Sequence, residues 1–214
     1  MPYSLSESQA QAVIAKIRHK IQDYFAAHQL KYAVFGKSEG LDSSVIAGLL
    51  ADLPGVQPVG VLIPIESAPE VEKIARLVLD HYQIPALKID LTDTYQHFKE
   101  KIFATDSLQD QLQILLQELG DQTTWQRVQQ VEKLALGNIK VRLRMIALYH
   151  LSQLLGGLVV STDNYSEYWI GFWTICGDVG DLSPIQTIFK GSELYTIARV
   201  LGVPEAVSYT HLRA

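Results

Sequence analysis

The sequence predicts an α/β protein, a Rossmann-like three-layer sandwich with a mostly parallel sheet and helices on both faces. Two observations carry this. Short apolar runs of strand length alternate along the chain with amphipathic stretches of helical length, the order expected of β-α-β units. With 214 residues and 48% hydrophobic content, the chain can bury one ordinary core. No internal repeat and no low-complexity linker divides it.

The elements follow in order. Residues 6–28 read as a helix, because Val13, Ile14, Ile17, Ile21 and Phe25 recur at helical spacing and Ser6 suits its N-cap. Residues 32–36, "YAVFG", form a buried strand, and 43–50 a helix. "VGVLIPI", residues 59–65, is the second strand. Residues 69–82 are amphipathic, with Val71, Ile74, Leu77 and Val78 on one face. "ALKIDL", residues 86–91, is the third strand, and 95–120 are helical with a looser middle, "FATDSLQD". A helix over 123–136 is expected to stop at Gly137, with Asn138 capping a long successor to Leu155. "GLVVSTD", residues 157–163, is the fourth strand. A loop rich in glycine and aspartate leads to a last helix over 190–201.

Composition narrows the function classes. The chain has 18 basic and 23 acidic residues, a formal charge of -5, which disfavours a nucleic-acid backbone as the main partner. One cysteine, Cys176, excludes an internal disulfide and suits a reducing compartment; it reads as a small packing residue. No signal-peptide pattern opens the sequence and no apolar run has membrane-spanning length, so a cytoplasmic protein is expected. His81, His97 and His150 show no metal-ligand spacing.

In doubly wound sheets ligands lie beyond the carboxyl ends of the strands. Two such ends carry polar clusters here, "GKSEGLDSS" and "STDNYSE". The first is not a P-loop, because the required earlier glycine position is Lys31, and the spacing of Gly36 and Gly40 breaks G-x-G-x-x-G. What remains is strand, Ser-x-Gly-x-Asp-Ser, helix. Gly40 can take positive φ, and a helix N-terminus at Ser43 and Ser44 favours a phosphate. Asp42 would repel a bare anion but is useful where magnesium bridges carboxylate and phosphate. A simple turn with Asp42 or Ser43 as N-cap accounts for the pattern equally well.

This stretch resembles the pyrophosphatase loop, Ser-Gly-Gly-x-Asp-Ser, of the adenine-nucleotide α-hydrolase-like ATPases. The second half, "NIKVRLRM" from Asn138, "STDNYSE", "GFWT", "GDVGDLSP" and Lys190, is similar to NAD synthetases in order and spacing. The resemblance implies ATP-dependent amidation of deamido-NAD by ammonia, through an adenylated intermediate, with release of AMP and pyrophosphate. By the same resemblance, Gly36, Ser38, Gly40, Asp42, Ser43, Thr162 and Lys190 would contact ATP, and Asp42 and Glu167 would hold Mg2+. Arg142 and Asp181 would contact deamido-NAD. No nucleophilic side chain is implied, because the substrate carboxylate is the nucleophile. Family members pair as homodimers through the helix around 138–155. Arg144 reads instead as a helix-surface residue in a salt bridge.

The sequence departs from the family pattern at several points. Glu39 replaces a loop glycine and Lys37 an apolar neighbour. The two share parity in an extended segment and are expected to pair. Ile175 stands where a lysine is common, and "GDVGDLSP" is one residue short. Residues 1–205 read as a single NAD synthetase-like domain and 206–214 as a doubtful tail, as in a chain truncated at its C-terminus. Two other readings stay open: a different ATP-pyrophosphatase-loop ligase that adenylates or amidates another substrate, and a non-catalytic nucleotide-binding homologue.

Overall fold

A computed structural model describes residues 5–103 and 108–208. Its four parallel strands are β1 (Tyr32–Gly36), β2 (Gln57–Leu62), β3 (Ala86–Lys88) and β4 (Leu158–Val159), in the order β3-β2-β1-β4. The helices are α1 (Glu7–Ala27), α2 (Leu41–Leu50), α3 (Pro69–His81), α4 (Thr92–Phe103), α5 (Leu108–Glu118), α6 (Gln122–Leu155), α7 (Tyr165–Ile170), α8 (Tyr195–Leu201) and α9 (Glu205–Ser208). A π-helical turn, Lys190–Leu194, runs directly into α8. Residues 104–107, within the looser middle expected between α4 and α5, lie outside the described residues, as do 209–214 of the tail.

The layering follows from strand parity. Ala33 and Phe35 of β1 point to the core shared with α1, α2, α3 and α8. Val34, between them, joins Val59, Val61 and Val159 against Met145 and Leu148 of α6. The expected sandwich is therefore present. Ser6 caps α1 through a full capping box: its hydroxyl accepts from the Gln9 amide at 3.2 Å, and the Gln9 side chain accepts from the Ser6 amide at 2.8 Å. The face that this start aligns buries Ile21 and Phe25, each contributing roughly 1.5–3 kcal/mol of transfer free energy.

Three expectations are corrected. Gly137 does not end a helix, and Asn138 is not a cap. Helix α6 runs unbroken for 34 residues from its N-cap Asp121, whose carboxylate accepts from the Thr124 amide at 3.0 Å. Glycine inside a helix costs only about 1 kcal/mol, which tertiary contacts offset. The Asn138 side chain is used sideways, accepting a hydrogen bond from the Thr174 hydroxyl at 2.8 Å. Secondly, β2, β3 and β4 are each shorter than their apolar runs, because pairing ends where the chain must turn toward the next helix. Thirdly, the region read as loop after the fourth strand contains α7, whose polar and aromatic sequence carries no apolar periodicity.

Helix α6 closes on Gly156 in the left-handed region (φ 63), where a side chain would be strained. The next residue, Gly157, lies against β1: a Cβ there would sit 2.3 Å from the Tyr32 carbonyl oxygen. Because the obstacle is backbone, it cannot swing aside. Gly157→Ala should destabilise the fold by roughly 1–3 kcal/mol, measured by denaturant unfolding. An unchanged midpoint would mean that β4 shifts without loss.

Candidate active site

Strand order reverses at β1, with β2 on one side and β4, reached later in the chain, on the other. The loops leaving β1 and β4 therefore diverge and open a crevice at their carboxyl ends. On the β1 side the loop folds on itself. The Gly40 amide donates to the Ser38 hydroxyl at 3.1 Å, and the Ser38 amide to the Ser43 hydroxyl at 3.3 Å. The Ser43 and Ser44 hydroxyls donate to the Gly40 carbonyl at 3.1 and 2.8 Å. Helix α2 begins at Leu41 with Gly40 as N-cap and no side-chain cap, so neither Asp42 nor Ser43 is the cap. Gly40 is extended (φ -68) rather than left-handed. Asp42 sits in the first turn, its carboxylate turned toward the β4 side.

There it meets three residues. The Asn164 side-chain Nδ2 donates to Asp42 Oδ1 at 2.8 Å, and the Lys190 ammonium reaches Asp42 Oδ2 at 2.8 Å and Glu167 Oε1 at 3.9 Å. Asn164 is fully buried and caps α7. Its Oδ1 accepts from the Ser166 and Glu167 amides, while Glu167 Oε2 accepts from the Asn164 amide at 3.1 Å. Lys190 is held by its backbone amide, which donates to the Ser166 hydroxyl at 3.0 Å. Burial raises the Glu167 pKa, and the nearby Asp42 charge adds to this against the opposing Asn164 amide and Lys190. Burial alone would lower Lys190, but its hydrogen bond to Asp42 and the charges of Asp42 and Glu167 outweigh it, so its pKa is raised. Behind them, Asp163 is 5% exposed; its Oδ2 accepts from Gln186 at 2.8 Å, its Oδ1 has no hydrogen-bond partner among the described residues, and burial raises its pKa.

Beside this cluster a cavity of about 480 Å³ extends over the ends of β1, β2 and β4. Gly36, Lys37, Ser38, Glu39 and Thr162 line one wall, and Arg144 and Asp178 another. Arg144, expected at the surface in a salt bridge, makes none among the described residues. It is half-buried on the cavity wall, donates Nε to the Ile63 carbonyl at 3.0 Å, and has its pKa lowered by burial. The expected pairing of Glu39 with Lys37 is also absent among the described residues. Lys37 turns inward to the Ser38 carbonyl and the Ser43 and Ser44 hydroxyls.

Neither Arg142 nor Asp181, the residues assigned to deamido-NAD, is among the residues lining the cavity. Arg142 is exposed on α6 and donates Nε to the Ile175 carbonyl at 3.1 Å. The Asp181 carboxylate accepts from the Val159 amide at 2.8 Å and so closes the free side of β4. Cys176 is exposed and left-handed (φ 62), not a packing residue. Sequence reasoning left Asn164, Asp163 and Asp178 without a role and kept Arg144 out of the site. For Asn164, an N-cap signal three residues before Glu167 was available and would have located α7.

Because Asn164 both caps α7 and orients Asp42, Asn164→Ala should cost about 1–2 kcal/mol. In a thermal melt this lowers the midpoint by roughly 3–6 °C for a chain of this size. A midpoint within about 1 °C of wild type would show that neither contact matters.

A sequence model of the NAD synthase family matches residues 13–211. The NH3-dependent NAD+ synthetase of Finegoldia magna is 35% identical over 188 residues, covering 87% of this chain and 67% of its own length. The chain thus spans about two thirds of that curated relative. Among solved structures, the NH3-dependent NAD synthetase of Campylobacter jejuni aligns with a TM-score of 0.75 at 24% identity, over 94% of this chain and 77% of its own. The NMN synthetase of Francisella tularensis also gives 0.75, at 22% identity over 92% and 73%. The two structures establish the shared fold; the match over residues 13–211 and the identity to the curated relative place the sequence, and this chain belongs to the NAD synthase family.

Proposed function

We propose that this chain is a ligase that converts deamido-NAD to NAD with ammonia and ATP, and that the crevice between β1 and β4 is where it does so. The observation that carries the reading is the meeting of Asp42, Asn164, Glu167 and Lys190 where strand order reverses. The deamido-NAD carboxylate attacks the α phosphorus of ATP, and pyrophosphate leaves. Ammonia then attacks the acyl carbon of the adenylate, and AMP leaves.

The chain supplies position and charge rather than a nucleophile. Gly36, Ser38, Gly40 and Ser43 seat the phosphates at the start of α2, whose amides point at them. Thr162 and Lys190 reach them from the β4 side. Asp42 and Glu167 suit Mg2+, since their oxygens already converge on one cation, Lys190. Among the described residues no group of three or more His, Cys, Asp or Glu is arranged around a metal, so phosphate oxygens and water would complete the shell. Bound there, the ion would neutralise charge on the departing pyrophosphate. Arg142, exposed and with Nε on the Ile175 carbonyl, is proposed to meet deamido-NAD through the rest of its guanidinium, and Asp181 through the carboxylate oxygen that does not hold the Val159 amide.

A homodimer belongs to the same proposal. Helix α6 exposes Leu134, Ile146 and Leu154, each more than 60% accessible, an apolar load that a second copy would cover. No helix among the described residues is long and apolar enough to cross a membrane. The acidic charge and the cytoplasmic setting expected from the sequence fit a small-molecule enzyme.

The test is an assay with ATP, Mg2+, ammonium and deamido-NAD. NAD, AMP and pyrophosphate should appear together, and Asp42→Asn should reduce the rate by on the order of a hundredfold or more. Pyrophosphate release with nicotinate mononucleotide but not deamido-NAD would assign a different amidating ligase. A folded chain that binds ATP and releases no pyrophosphate would be a non-catalytic homologue.

A further inference from the structure

Lys37 is 5% exposed, yet among the described residues no carboxylate lies within ion-pair distance of it. Its Nζ donates to the Ser38 carbonyl and to the Ser43 and Ser44 hydroxyls, at 3.1 and 2.9 Å for the two serines. A buried ammonium without a counter-ion is expensive to keep charged, and ordinarily a carboxylate accompanies it. Lys37 lines the cavity together with Ser38 and Glu39, at the start of the loop that leads into α2.

We infer that Lys37 is a positioning residue whose missing counter-ion is the substrate's phosphate chain. It would act from beneath the loop, through Ser38 and Ser43, and not by direct contact. With its oxygen held by the Lys37 N–H, the Ser43 hydroxyl can turn its hydrogen from the Gly40 carbonyl toward a phosphate oxygen. This inference rests on the reading of the loop as the ATP phosphate site. The other charged groups lining the cavity are Glu39 on the loop, Arg144 on α6, Asp178 after α7 and Glu72 on α3, while Asp42 on α2 faces Asn164 and Lys190 in the neighbouring cluster. Of these, Glu39 bears on Lys37 and partly opposes the burial that otherwise lowers its pKa to about 7.

An approaching triphosphate should restore the charge, so ATP binding above neutral pH takes up a proton at Lys37. Calorimetric titration of the full chain with ATP and Mg2+ at pH 8, in buffers of different ionisation enthalpy, measures this. Wild type should take up a larger fraction of a proton than Lys37→Met, a substitution of similar volume that suits a buried site. At pH 6.5 Lys37→Met should bind ATP about tenfold more weakly, with the gap narrowing as pH rises. If methionine is not tolerated, Lys37→Gln provides the same comparison. Equal proton uptake and equal affinity in wild type and variant, at both pH values, would overturn the inference alone. Failure of wild type to bind ATP would instead overturn the reading of the site, and the inference with it.

Discussion

Parallel pairing of β1 on both of its edges is the constraint on which the molecule depends. A strand paired on both sides in a parallel sheet must be apolar on both faces and must send its chain away at its carboxyl end. Val34 and Phe35 meet the first requirement by facing opposite cores. The second places residues 37–44 beside the loop leaving β4, although more than a hundred residues separate them in the chain. The packing of α6 against β1 and β4, the clasp of Gly157 on Tyr32 and the hold of Asp181 on Val159 all keep that neighbourhood fixed.

Within the crevice, charge is arranged around a deliberate imbalance. Asp42 and Glu167 share one ammonium, Lys190, while Asp163 is buried behind them with one oxygen unpaired among the described residues. On the other side of the loop, Lys37 is buried with hydroxyls in place of a carboxylate. Buried groups that the protein matches incompletely are what the proposed polyanion and cation would complete. The shifts of Glu167 and Lys190 in the same upward direction have different causes, burial for the acid and paired carboxylates for the base.

The residues that sequence reasoning assigned wrongly fail for a common reason. Gly137, Asn138, Arg144 and Cys176 were judged by what their side chains do locally: break, cap, decorate or pack. In each, a distant partner or the path of the backbone decides. Asn138 answers Thr174, and Arg144 answers the Ile63 carbonyl across the cavity. Lys37 and Glu39, two residues apart, were expected to pair because local geometry allows it. Lys37 instead finds two serines one helical turn into α2, where its ammonium gains three acceptors rather than one exposed partner.

The sequence by itself determined the layer architecture, because the alternation of apolar runs and amphipathic stretches is a local property that burial enforces. It also pointed to the two loops proposed to hold the site, since polar clusters at strand ends are legible wherever the strands are. Spacing and order of the later motifs carried the family. What only the tertiary structure decided is how those loops meet: that Asn164 hands its amide to Asp42, that Lys190 stands between two acids, and that α6 crosses Gly137 unbroken. These are contacts between residues 23 to 148 positions apart or a helix stabilised by what it packs on. Local propensity contains no information about either, because their free energy comes from neighbours that exist only once the sheet has closed.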